Sequence, residues 1–231
     1  MANYLRFIFF LIVGLGLIIL CYPNVRDITI RVLHSTIIPY EENLHKRNIR
    51  SINAFKQDID NRKNIDLLFI GDSHFVKMFN KTSSLTNYLS ISINGETTRG
   101  ILNRFDININ NLHYKKAIIL LGYNDLKCRN TNSTFQNYKQ IINKLTCDSV
   151  YIVSLLPVKF NRYLINRQIK DINLLLQTYS FSQRKLHYIQ VYDLFLNNKG
   201  NGINSSYSYD GTHLNIRGNN ILSNSILKKI K

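Results

Sequence analysis

The chain is sparing with the residues that several kinds of chemistry require. Its three cysteines, Cys21, Cys128 and Cys147, form no CxxC pair and no Cys/His spacing of the sort that holds a structural metal. There is no internal repeat and no low-complexity tract, so array architectures are excluded. Acidic residues are scarce, with 14 Asp and Glu against 30 Lys and Arg, a net charge of +16. The excess is scattered, without a Lys/Arg block or a Gly/aromatic RNA motif, so no specific nucleic-acid partner is expected. What the charge does predict is attraction to anionic lipid headgroups or acidic glycans; the plainer reading is that it solvates the surface. With 45% hydrophobic and 19% charged residues, the chain is a folding one.

At 231 residues it suffices for one domain with a sizeable core and a short appendage. Leu5 to Tyr22 is apolar apart from Arg6, short for a membrane-spanning helix and long for a signal-peptide core. No small-x-small cleavage pattern follows, and the bulky Leu20 argues against lipoprotein processing at Cys21. Residues 1–22 are therefore expected to be an uncleaved transmembrane anchor or signal, the alternative being a buried helix of the domain. Arg6 and the free amino group favour a cytoplasmic N-terminus, placing the remainder on the periplasmic or extracellular face. There Cys128 and Cys147 could pair or remain separate buried thiols; sequence leaves both open. Residues 23–64 form a juxtamembrane linker in which Leu44, Ile49, Ile52, Phe55 and Ile59 recur at helical spacing, an amphipathic helix expected to pack on the domain.

From residue 65 a rhythm begins. Apolar runs at Ile65–Ile70, Tyr88–Ile93, Ala117–Leu121, Val150–Leu155 and Tyr188–Val191 are continuous, as strands buried on both faces should be. Helix-length segments lie between and after them, at Arg99–Asn111, Ser133–Cys147, Arg162–Phe181 and Arg217–Ile230. Such alternation predicts a parallel sheet covered on both sides, with ligands beyond the carboxyl ends of the strands.

Four short words stand in order along this frame. Gly71-Asp72-Ser73-His74 puts a serine at a strand-to-helix turn, where its hydroxyl is exposed and its backbone N–H lacks a helical partner. Gly95 and Asn124 each follow a strand; one can offer a backbone N–H, the other a side-chain amide, to an oxyanion. Asp210 and His213, three apart, can hold one imidazole nitrogen and leave the other for Ser73. Taken singly, each word also has a bland reading as a helix cap or a turn. His74 adjoins the serine but points elsewhere on its helix and is expected to be structural.

The ordered set, Gly71-Asp72-Ser73, Gly95, Gly122-x-Asn124-Asp125 and Asp210-x-x-His213, resembles the SGNH hydrolase superfamily, also called GDSL esterases/lipases, over roughly residues 65–230. Val191-Tyr192-Asp193-Leu194-Phe195 and His213-Leu214-Asn215-x-x-Gly218 are similar to its usual flanks. The resemblance implies a three-layer α/β/α sandwich with a five-stranded parallel, flavodoxin-like sheet over residues 65–231. It implies Ser73 as nucleophile, His213 as base, Asp210 as its orienter, and Ser73 N–H, Gly95 N–H and Asn124 as the oxyanion hole, with no metal or organic cofactor. His74 stands where the common esterases have leucine, and Gly-Asp-Ser-His resembles the variant found in members acting on acetyl groups of envelope polysaccharides. Ser92 stands where many members have a further glycine.

The expected function is hydrolysis of small acyl esters, O-acetyl on cell-envelope carbohydrate being favoured. Two alternatives use the same fold. An O-acetyltransferase would pass the acyl group to a glycan, fed by a membrane acyl-donor protein. A non-catalytic module would only bind glycan or lipid.

Overall fold

The alternating apolar runs become five parallel strands, and their parity explains why each run is continuous. In the computed structural model, which describes residues 40–61, 64–79, 87–108 and 112–231 with isolated positions between 13 and 29, strand β1 spans Asn64–Gly71. Leu68 and Ile70 face one side of the sheet and Phe69 the other, all fully buried. Strand β3 (His113–Leu120) repeats the pattern, with Ala117 and Ile119 opposing Ile118 and Leu120. Strands β2 (Tyr88–Ser90), β4 (Ser149–Val153) and β5 (Leu186–Ile189) complete the sheet in the order β2-β1-β3-β4-β5, all pairs parallel. This is the α/β sandwich and flavodoxin-like order that the resemblance implied.

Eight residues of helix α1 (Tyr40–Arg47) lead into α2 (Ile49–Asn61); α3 (Ser73–Phe79) follows β1, and α4 (Thr98–Asn108) follows β2. Next come α5 (Thr131–Lys144), α6 (Tyr163–Ser180) and the last helix, α7 (Ile216–Ile230). One core joins a sheet face to Ile59 of α2, Ile101 and Phe105 of α4, Tyr138 and Ile141 of α5, and Ile169 and Ile172 of α6. The other joins the opposite face to Phe75 and Met78 of α3 and to Leu222, Ile226 and Ile230 of α7. The helix expected in the linker is thus α1 and α2: Leu44, Ile52 and Ile59 are buried, while Ile49 is exposed.

Strand boundaries differ from expectation for local reasons. β3 starts at His113, four residues before the apolar run, because its first half has exposed residues between buried ones. β2 ends at Ser90, although Ile91 N–H still donates to the Phe69 carbonyl before the chain turns toward Gly95. β4 stops at Val153 because side chains take over its backbone partners: Leu155 N–H donates to Asn173 Oδ1, and Ser154 Oγ accepts from Val191 and Tyr192 N–H. The last residues expected of α4, 109–111, lie outside the described residues.

The chain's many asparagines have work here. Asn130 and Asn215 cap α5 and α7 by accepting from Ser133 and Gly218 N–H. Asn166 and Asn173 of α6 exchange paired hydrogen bonds with the backbone of Val158 and Leu155, fixing the segment after β4. Cys128 and Cys147 are separate buried thiols. Among the described residues no helix is long and apolar enough to cross a membrane; the anchor expected over residues 1–22 falls almost wholly outside them.

Candidate active site

The serine is placed by a close approach of backbone. A Cβ on Gly71 would lie 2.5 Å from a Phe75 ring carbon and 3.1 Å from the Leu120 carbonyl, so only glycine lets α3 begin directly under the end of β1. Asp72 caps the turn, its Oδ1 accepting from His74 N–H at 2.9 Å and its carbonyl from Val76 N–H. Ser73 then opens α3 with 9% of its surface exposed. Burial pushes the Asp72 carboxyl up to about 6, against the pull of the His74 N–H, Lys127 and His213.

The acid–base pair is preformed. His213 Nδ1 lies 2.6 Å from Asp210 Oδ2, and Asp210 Oδ1 accepts from the backbone N–H groups of Thr212 (2.9 Å) and His213 (2.7 Å). Burial works against the charge of Asp210, but the His213 ring and the two backbone donors outweigh it and hold the carboxyl at about 2. Ser208 Oγ ties the loop, donating to the His213 carbonyl and accepting from Gly211 N–H. The His213 ring lies 6.1 Å from that of His74, centre to centre, and its charge bears on both Asp72 and His74, the two neighbours of Ser73. The loop before α7 therefore faces the start of α3.

Gly95 has a φ of +81°, in a turn closed by Glu96 N–H donating to the Ile93 carbonyl. Asn124, 5% exposed, reaches the same turn: its Nδ2 donates to the Glu96 carbonyl at 3.0 Å and its Oδ1 accepts from Lys127 Nζ at 2.9 Å. One amide proton positions the side chain and the second is left to meet a substrate. Asp125, next in that word, instead caps α4, accepting from Thr98 N–H at 2.8 Å and from its hydroxyl.

Beneath this turn lies a pair that no motif in the sequence announces. Glu96 is fully buried and bound to Arg104 Nε at 2.8 Å, while Arg104 Nη2 donates to the Ile91 carbonyl. The eight-residue spacing crosses from turn to helix and carries no local signal. Removing one partner strands a buried charge, so Arg104→Leu should cost about 3–5 kcal/mol, read as a lowered urea midpoint.

His74 is buried. Burial first, then the charges of His213, Lys77 and Lys127, hold it at about 3 against its ordinary 6.5. Below 6.5 the unfolded chain takes a proton that the folded chain refuses until about 3, so stability falls as the pH drops through that window. His74→Leu should flatten this fall. The measurement is the difference in Tm between variant and parent at pH 7 and pH 4, which should move in the variant's favour on acidification; comparing two proteins that share Asp72 cancels its opposite slope.

The carboxyl edge of this doubly covered parallel sheet thus carries Ser73, the His213–Asp210 pair and the candidate donors Gly95 and Asn124. A family model described as GDSL-like Lipase/Acylhydrolase family matches residues 71–221, and the chain belongs to that family. A Streptococcus pneumonia protein described as a candidate platelet activating factor is similar at TM-score 0.69 and 23% identity, over 83% of this chain and 96% of that one. A GDSL-like lipase from Bacteroides thetaiotaomicron is similar at TM-score 0.61 and 22% identity, over 80% and 96%. An acetyl-xylooligosaccharide esterase from Geobacillus is similar at TM-score 0.58 and 14% identity, over 72% and 94%. At these identities the likeness is one of fold. Comparison with curated proteins gives no significant match.

Proposed function

We propose that this chain is a serine esterase that removes small acyl groups, O-acetyl above all, from cell-envelope carbohydrate. Ser73 attacks the ester carbonyl as His213 takes its proton. The oxyanion is held by Ser73 N–H, Gly95 N–H and the free proton of Asn124. The tetrahedral adduct collapses, His213 returns the proton to the departing sugar hydroxyl, and Ser73 keeps the acyl group. Water, deprotonated by His213, then attacks the acyl-enzyme, releasing the carboxylic acid and restoring the serine. Residues 1–22 anchor the chain in a membrane with this domain outside the cytoplasm, a reading supported by the apolar run from Leu5.

The observation that carries the proposal is the 2.6 Å contact of Asp210 with His213, in a loop facing the start of α3. Membership of an acylhydrolase family and the fold shared with an acetyl-xylooligosaccharide esterase support it. The test is hydrolysis of p-nitrophenyl acetate together with labelling by a fluorophosphonate probe. Turnover with the label on Ser73 is expected; absence of both rejects the reading. Asn124→Ala should lower kcat on the order of 100–1000-fold with KM little changed, and steady-state kinetics will tell.

A further inference from the structure

Three cations among the described residues lie near the His213 loop. Lys127 Nζ lies 4.2 Å above the centre of the Tyr123 ring and donates to Asn124. Arg162 Nη1 donates to Tyr123 Oη at 3.2 Å, and that oxygen is 3.5 Å from Thr212 Oγ1, one residue before His213. On the other side Lys77 sits 4.8 Å from the centre of the Tyr209 ring and bonds its hydroxyl, while Tyr209 stacks on His213 at 5.8 Å and 12°. All three cations are half-buried, so their fields are less screened than those of fully exposed side chains. The neighbouring carboxylates have contacts of their own: Asp72, within the field of Lys127, accepts from His74 N–H, Asp210 binds His213, Asp125 binds Thr98 and Arg129, and Glu96 binds Arg104.

Two aromatic faces complete the rim. Tyr209 is 60% exposed, and so is Phe160 (65%), which is held near the same loop because Lys159 N–H donates to the Gly211 carbonyl. A flat ring with an exposed face suits the apolar side of a pyranose, and a fixed guanidinium suits a carboxylate.

We propose that the ester taken by this site is an O-acylated acidic saccharide. Arg162 and Lys127 receive an anionic group of the glycan on one flank, Lys77 faces it on the other, and Tyr209 carries the sugar ring against His213. The inference rests on the esterase reading and narrows it: the alcohol half is charged. It also gives a local purpose to part of the net charge of +16.

The experiment compares acetyl release by the full-length protein, in detergent, from acetylated polygalacturonate and from acetylated xylan, with p-nitrophenyl acetate as the reaction control. At low salt, kcat/KM on the acidic polymer should exceed that on xylan by about tenfold or more, and the gap should close as salt rises. Arg162→Gln combined with Lys77→Gln should raise KM on the acidic polymer and bring the ratio within about threefold of unity. Turnover of p-nitrophenyl acetate without preference for the acidic polymer, or a preference unmoved by salt and by the double variant, overturns this inference alone. Preferential release from anionic acyl-lipid vesicles overturns it in favour of a lipid. No turnover of any ester removes the esterase reading and this inference with it.

Discussion

Ser73→Ala should lower kcat on an unactivated acetyl ester by about a million-fold, and His213→Ala by nearly as much. The two act as a unit: without the hydroxyl there is nothing for the imidazole to deprotonate, and without the imidazole the hydroxyl is a poor nucleophile at neutral pH. The double variant should therefore be no slower than either single one. A residue of catalysis, about a thousand-fold over water, should survive in all three from the oxyanion donors. The fold should tolerate Ser73→Ala, since the serine opens α3 and its neighbour Asp72 does the capping. Circular dichroism melts check that point, and single-turnover kinetics read the rate. Additive losses in the double variant, or a Ser73→Ala protein within tenfold of the parent, would remove the nucleophile assignment.

Asp210→Asn should cost about ten-thousand-fold in kcat while leaving the loop in place. The geometry dictates how. Asp210 uses one oxygen for two backbone N–H donors, from Thr212 and His213, and the other for His213 Nδ1. An asparagine has a single acceptor oxygen, and the two backbone donors claim it. Its NH2 then faces His213 Nδ1, which must become the acceptor, so the ring proton moves to Nε2, where the base is needed. The wrong tautomer is enforced without disturbing the turn. Proton NMR of the imidazole nitrogens distinguishes the tautomers, and an unchanged Nδ1–H with a large loss of rate would contradict this account.

Much of the fold was legible because buried parallel strands need both faces apolar. The runs around Leu68-Phe69-Ile70 and Ala117-Ile118-Ile119 are therefore continuous and hard to mistake. Strand ends were less legible. Whether β4 stops at Val153 depends on Asn173, twenty residues on, whose amide replaces a neighbouring strand as partner. The amphipathic spacing of Leu44, Ile52 and Ile59 announced a helix, but not that the helix would pack on the same core as α4.

The candidate site divides in the same way. Its candidate residues are visible in sequence because each lies in a short word whose local geometry is self-sufficient: a glycine, a cap and a serine, or an aspartate three residues from its histidine. Chain order alone thus determined the α/β class and the parallel sheet, and it nominated the set Ser73, Gly95, Asn124, Asp210 and His213. Only the tertiary structure decided what surrounds them. Arg104 under the Gly95 turn, Lys77 on Tyr209, and Arg162 on Tyr123 come from separate elements, up to 132 positions apart. No local pattern constrains such pairs, because a buried charge or a stacked ring is satisfied by whichever neighbour packing delivers.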